Sequence, residues 1–265
     1  MTVFTHAIVR PPGASFAEGL TTQALGAPDL DLALAQHDAY CRALEAAGVE
    51  LVRLPADERF PDSTFVEDTA VVTARGVVIT RPGAPSRAGE TEAIAEVFAR
   101  LGAPTATLEP PGTVDGGDVC QLGERFLIGR SDRTDDAGAA ALAERLAAYG
   151  HPASTATVPA DAFLHLKSGM SWLGEGRVAV VDELAALPEL AAFERIRVAP
   201  EEAYAANCIR VNDVVIVPAG FPRFVADLRA ASLEPLEVEV SEFRKQDGGV
   251  SCLSLRLPPG LIDVR

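Results

Sequence analysis

Residues 60–69 read Phe-Pro-Asp-Ser-Thr-Phe-Val-Glu-Asp-Thr, which gathers Asp62, Glu67 and Asp68 into one short stretch around Phe65. Carboxylates held that close repel one another unless a cation joins them. A solvated acidic loop is one outcome. An acid-lined pocket for a cation is the other, and the interleaved Phe65 and Val66 suit it. A second group of residues offers reactive chemistry. Cys252 ends the stretch Lys-Gln-Asp-Gly-Gly-Val-Ser-Cys at 245–252, where two glycines permit backbone geometry closed to other residues and can present a thiol at a loop–strand junction. His165 lies between Leu164 and Leu166, either packed as a structural histidine or available as an acid/base. Asp115 and Asp118 bracket Gly116-Gly117, an acid-rich turn or a source of an orienting carboxylate. Together Cys252, His165 and Asp115 supply a nucleophile, a proton carrier and its partner. Arg87 and Arg133 stand in loops, as surface or helix-end charges or, facing a pocket, as planar forks for a substrate carboxylate.

The rest of the composition narrows the setting. The chain has 265 residues, 48% of them hydrophobic, which is ample for a core and excludes global disorder. A formal net charge of −15 argues against nucleic acid, whose phosphates need basic patches, and is compatible with a cationic small molecule. No stretch approaches the roughly 20 apolar residues of a membrane span, and the start lacks the basic and apolar regions of a signal peptide. Cys41, Cys120, Cys208 and Cys252 are widely spaced and form no CxxC pair, which favours free thiols over a disulfide frame or zinc site. A cytoplasmic location is therefore the expectation, with no membrane or nucleic-acid partner and a homodimer left open.

The elements that must position these residues repeat. Residues 3–10 alternate as a strand, and residues 29–47 carry Leu30, Leu34, Cys41 and Leu44 at helical spacing up to Gly48. His37 and Cys41 then belong to that helix, packed or at its surface. Residues 49–54 read as a strand. Paired apolar runs with a central turn occupy 70–80, 118–129, 170–181 and 208–217, a hairpin signature. Helices are expected around Ile94–Leu101, from Ala139 to Tyr149 behind a cap at Thr134, and around Phe224–Leu228. A strand at 252–257 could close a ring beside residues 3–10. Hairpin, helix and further strand recurring every ~35–50 residues is the pattern of a propeller-like array. No linker divides the chain, so residues 1–265 are expected to form one domain.

At the level of motifs, the chain resembles the dimethylarginine dimethylaminohydrolase family, within the guanidino-group-modifying superfamily that also holds arginine deiminase and the amidinotransferases. The stretches PDSTFVED, TRPGAPSR, GTVDGGD, SDRT, LHLKSG, YAANCI and DGGVSC carry the resemblance, in order, across nearly the whole chain. It implies a five-bladed α/β propeller of ββαβ repeats and hydrolysis of Nω-methylated L-arginines to citrulline and a methylamine, with no metal or organic cofactor. In that family Cys252 would be the nucleophile, His165 the proton donor and acceptor, and Asp115 its partner, where some bacterial relatives carry Glu. Asp62, Glu67 and Asp68 would line the guanidinium and amino side of the pocket, Phe65 and the lid residue Leu20 the aliphatic part, and Arg87 and Arg133 the α-carboxylate. Gln246 occupies a usually aliphatic place whose backbone carbonyl meets the substrate. Two alternatives stand beside this one: arginine deimination or hydrolysis of another guanidine or amidine, and a non-catalytic propeller that only binds.

Overall fold

The computed structural model describes residues 3–160 and 162–262; the expected domain's residues 1, 2, 161 and 263–265 lie outside them. The first strand, β1 (His6–Val9), is followed by helix α1 (Leu30–Ala46) and strand β2 (Glu50–Arg53), which pairs parallel to β1. The Asp29 side chain caps α1 by accepting the Leu32 N–H. Its buried stripe differs from the leucine pattern. Ala33, His37, Tyr40, Cys41 and Leu44 face inward, while Leu34 is 39% exposed.

Four hairpins come next, at the places where paired runs were expected. They are β3 (Ala70–Thr73) with β4 (Gly76–Ile79), then β6 (Val119–Leu122) with β7 (Arg125–Arg130), where β5 (Thr105–Thr107) intervenes in the chain. The third is β9 (Met170–Gly174) with β10 (Arg177–Val180), after β8 (Ala153–Thr157). The fourth is β12 (Ile209–Val211) with β13 (Val214–Pro218), after β11 (Glu194–Arg197). Strands β5, β8, β11 and β14 (Glu234–Val238) each return parallel to the second strand of the preceding hairpin. Three of these returns run through helices: α2 (Glu90–Arg100), α3 (Asp136–Ala148) and α4 (Pro222–Ala230). The return after β10 instead uses a single 3-10 turn at Pro188–Leu190. A last short helix, α5 (Ser241–Arg244), leads toward β15 (Leu255–Leu257), which pairs antiparallel to β1.

Among the described residues this makes five three-stranded sheets, β15-β1-β2 among them, so the two ends of the chain share one blade and close the ring. The molecule is a five-bladed α/β propeller. The first strands of neighbouring blades pack together, β15 on β3, β6 on β9 and β9 on β12. Helices fill the gaps outside them: the Ala139, Leu142 and Leu146 stripe of α3 packs on Phe126 and Ile128 of its own blade and on Val71 and Val78 of the blade before. Two boundaries differ from expectation. Asp135 caps α3, because the Thr134 hydroxyl is donated to Asp118 instead. The last strand begins at Leu255, since residues 251–253 turn in a 3-10 helix that lifts Cys252 out of the sheet. No helix of the described residues is long and apolar enough to cross a membrane.

Ring closure has a specific polar clasp. Asn212, at the β12–β13 turn with φ of 53°, accepts the Phe4 N–H at 2.9 Å and donates to Phe4 O at 3.1 Å and Ala47 O at 2.8 Å. Asn tolerates this left-handed backbone better than most residues. Asn212→Gly keeps the backbone but loses the clasp, and should cost about 1–3 kcal/mol in urea unfolding. Asn212→Ala should cost more, by the added backbone strain.

Candidate active site

Each blade sends a short turn into its first strand, and several of the reactive and acidic residues singled out in the sequence sit on or beside these turns. Glu67 and Asp68 lie on the 3-10 turn Val66–Thr69 before β3. Asp115 precedes the turn Gly116–Asp118 before β6, and His165 precedes Leu166–Ser168 before β9. Asn207 follows the turn Pro200–Ala206 before β12, and Cys252 lies on Ser251–Leu253 before β15. Side chains far apart in sequence therefore meet at one end of the propeller axis.

His165 stands between two carboxylates. Its Nε2 is 3.0 Å from Asp115 Oδ2, and its Nδ1 is 4.0 Å from Asp68 Oδ1. A Cβ on Gly117 would lie 2.5 Å from that Nδ1 and 2.8 Å from that Oδ1, so glycine is what allows the turn to press against both. Burial disfavours the imidazolium, but the charges of Asp68 and Asp118 and the Asp115 hydrogen bond outweigh it and raise His165 from 6.5 to about 9. For Asp68 burial pulls upward, yet His165 and Arg87 prevail and hold the carboxyl at about 2.

Cys252 is buried (8% exposed), its sulfur 3.4 Å from the Gly249 N–H donor and 4.0 Å from Asn207 Nδ2. Asn207 Oδ1 also accepts the Ser251 N–H at 2.8 Å, so one amide both faces the sulfur and fixes its turn. Burial, followed by the charges of Glu67 and Asp68, pushes the thiol from 9.0 up to about 12, against the pull of Gly249 N–H and Lys167. In the free protein near neutrality the thiol is thus protonated and the imidazole charged. No hydrogen bond joins His165 to Cys252 among the described residues.

The two arginines separate. Arg87 is buried, with Nη1 2.6 Å from Asp68 Oδ2, Nη2 2.8 Å from Glu90 Oε2, and further bonds to Glu90 and to the carbonyls of Phe65 and Asp62. Its fork is engaged inside the protein, whereas a substrate carboxylate was expected there. Arg133 is half-buried, and its guanidinium has no direct partner among the described residues. Glu67 is likewise engaged within the protein. Its carboxylate meets Lys167 Nζ at 2.6 Å, Arg256 Nη2 at 2.9 Å and Ser251 Oγ at 2.7 Å, and lines a separate axial cavity with Trp172 and Arg210. Phe65 packs with Phe16 and Phe243 at centroid distances of 6.1 and 6.3 Å. Leu20 is 41% exposed on its loop and gives its N–H to Asp62, which burial raises above the usual carboxylate range. Gln246 is buried, its amide nitrogen turned toward the carbonyls of Gly19 and Leu20. A cleft of about 530 Å³ opens beside these groups, bordered by Thr22, Phe163, Tyr204, Asp247 and Gly249.

Two residues were not assigned from the sequence. Asn207 sits inside YAANCI with no charge or glycine to mark it. Asp118, the second acid of the diglycine turn, accepts Ser131 Oγ–H, Thr134 Oγ1–H and Leu166 N–H, and so fixes both the loop carrying Arg133 and the turn after His165. Ligand atoms of Asp68, Asp115 and His165 lie within 4.8 Å of one another, but a metal ion there would have to displace the His165 proton and compete with Arg87.

A family model described as arginine deiminase matches residues 58–186. The chain is 46% identical to N(G),N(G)-dimethylarginine dimethylaminohydrolase of Pseudomonas aeruginosa, with 96% of this chain and 100% of that one covered. It is 39% identical to the protein of the same name from Streptomyces coelicolor, over 95% and 96%. The structure superimposes on that of the Pseudomonas aeruginosa enzyme, a Cys-to-Ser mutant complexed with citrulline, with a TM-score of 0.93 over 96% of this chain and 100% of that one, at 45% identity. Identity at this level along essentially the whole length, on one shared fold, means that the chain belongs to the dimethylarginine dimethylaminohydrolase family.

Proposed function

We propose that this chain hydrolyses Nω-methylated L-arginines to L-citrulline and dimethylamine or methylamine, within one catalytic domain and by a covalent route through Cys252. The observation that carries it is geometric: the propeller brings His165, held by Asp115 at 3.0 Å, and Cys252, facing the Gly249 N–H and the Asn207 amide, to one end of its axis beside buried carboxylates. A guanidinium entering beside Asp68 and Asp62 offsets the negative charge that pushes the thiol up, and so favours the thiolate when substrate arrives. The Gly249 N–H and the Asn207 amide then face the charged sulfur.

The sulfur attacks the central guanidinium carbon, and a C–S bond forms as the π electrons move to nitrogen. His165 delivers its proton from Nδ1, which has no hydrogen-bond partner among the described residues, to the departing amine, while Asp115 holds Nε2. The C–N bond breaks and an S-alkylthiouronium remains. Neutral His165 takes one proton from water, whose oxygen bonds to the same carbon; the C–S bond breaks with its electron pair on sulfur, and the remaining proton on that oxygen passes to the sulfur, giving citrulline, a neutral Cys252 thiol and a charged His165. We assign Asp62, which accepts the Leu20 N–H, and Leu20 to the wall beside the substrate, with the packed rings of Phe65, Phe16 and Phe243 supporting the aliphatic part. We assign the α-carboxylate to Arg133, and to Arg87 and Glu67 the task of fixing Asp68 and the Ser251–Cys252 turn.

Arginine itself is the second reading, favoured by the match to the deiminase model over residues 58–186. Charge cannot separate the two substrates, because methylation leaves the guanidinium cationic. Selectivity has to come from space around the leaving nitrogen, where one methylene-sized change is worth about 1–3 kcal/mol.

Arg133→Ala should lower kcat/KM by about 2–5 kcal/mol, toward the smaller figure because the site is half open to solvent. The loss should nearly vanish on the decarboxylated, agmatine-type substrate; an equal loss on both would remove Arg133 from the carboxylate. Arg87→Ala leaves Asp68 and Glu90 buried without their cation, and should show as about 3–5 kcal/mol in urea unfolding.

Purified protein should release dimethylamine from asymmetric dimethylarginine with a higher kcat/KM than it releases ammonia from arginine. Cys252→Ser should abolish either product while keeping the fold. Arginine as the better substrate would move the chain's activity to deimination, and turnover by Cys252→Ser would remove the covalent route.

A further inference from the structure

Residues 19–27 form no regular element, and two of their apolar side chains face solvent, Leu20 being 41% and Leu25 49% exposed. Little hydrophobic burial holds this loop down. Polar contacts from one segment, residues 242–247, do so instead. Glu242 accepts the Asp29 N–H at 2.7 Å, Lys245 Nζ reaches Ala27 O at 3.4 Å, and Thr21 Oγ1 donates to Lys245 O at 2.7 Å. The contacts are densest at Asp247. Its Oδ2 accepts the Thr22 N–H at 2.6 Å, and its Oδ1 accepts Thr22 Oγ1–H at 2.9 Å and Gln23 Nε2–H at 2.7 Å.

Beneath Asp247 lies the buried Gln246. With its amide nitrogen toward the loop, Nε2 is 3.1 Å from Gly19 O and 3.2 Å from Leu20 O. An aliphatic side chain could not make these bonds. The fit is tight: a Cβ on Gly19 would lie 2.7 Å from Asp62 Oδ1, and the Leu20 N–H already donates to that carboxylate. Asp247 has φ of 58°, in the left-handed region, where Asp and Asn are tolerated better than most residues. Its direction toward the loop is therefore set by an unusual backbone as well as by three donors. The same segment continues through Gly248 and Gly249 into the Cys252 turn, and Asp247, Gly249 and Thr22 border one cleft.

We propose that Gln246 and Asp247 form a latch. They are positioning residues that hold loop 19–27 closed over the acid-lined mouth, and they tie its closure to the setting of the loop that carries Cys252. Charge-assisted hydrogen bonds to Asp247 supply most of the hold, and Gln246 fixes the hinge end at Gly19–Leu20. Opening the loop frees the Leu20 N–H from Asp62 and exposes the mouth to water.

The latch rests on the proposed substrate pocket, but it can be tested without substrate. Alkylation of Cys252 by iodoacetamide, read by intact mass, reports how often the mouth is open. Asp247→Asn keeps a residue suited to the left-handed backbone and removes the charge. Gln246→Val removes the amide. Thr22→Val acts from the loop side and leaves the nucleophile's segment untouched. All three should speed Cys252 labelling, Asp247→Asn by about tenfold, and increase proteolytic nicking between residues 20 and 27. With methylarginine, Asp247→Asn should raise KM by a larger factor than it lowers kcat. Unchanged labelling in the three variants overturns the latch. So does faster labelling confined to the Gln246 and Asp247 variants, which would mean a disturbed nucleophile segment. Faster labelling in all three from a protein inert toward methylarginines keeps the latch and rejects the proposed substrate.

Discussion

One carboxylate oxygen of Asp68 lies 2.6 Å from Nη1 of Arg87, while the other accepts the Gly117 N–H at 2.8 Å and faces Nδ1 of His165 at 4.0 Å. This buried group joins the acidic turn of one blade to the turns of the next two. Left unpaired it would carry a heavy desolvation penalty; the neighbouring cations instead keep it ionised. Its charge in turn holds the proton on His165 and opposes ionisation of Cys252. The folded state binds the His165 proton more tightly than an unfolded chain does. That stabilisation is complete below pH 6.5 and is lost as pH rises through about 9.

The propeller explains how so few contacts can assemble a site. Every blade places a short turn at the same end of its first strand, so each needs to contribute only one or two polar side chains. Asp68, Asp115, His165, Asn207 and Cys252 come from successive blades. Precision comes from the ring, because neighbouring first strands pack directly and the chain ends share one sheet. The charge network also sorts the carboxylates. Glu67 is neutralised by Lys167 and Arg256 on the axial side, which leaves Asp68 and Asp62 for the mouth.

The sequence made the blades legible because each hairpin combines β-branched runs with a turn residue, and Asn212 or Gly174 takes the positive φ that such turns require. The glycine lead-in marked Cys252, and the mixture of acids with Phe65 marked the pocket. Side-chain direction was not legible. Glu67 and Asp68 are adjacent in sequence yet meet different partners, Lys167 and Arg256 for one and Arg87 and the Gly117 N–H for the other, since a 3-10 turn separates neighbouring side chains by about a third of a rotation. Arg87 and Arg133 looked alike as loop arginines. The difference lay in Glu90, three residues beyond Arg87, which pairs with it along the chain. Asn207 gave no signal, because its role depends on the loop of a different blade.

The account stands on the proton that Asp68 keeps on His165 before substrate arrives. Titrating the His165 ring by NMR in the free protein, beside Asp68→Asn, measures that directly. The wild-type ring should titrate near 9, and the variant, with that charge removed, should titrate clearly lower. A wild-type ring already neutral at pH 7, or one that Asp68→Asn leaves unmoved, would contradict the account.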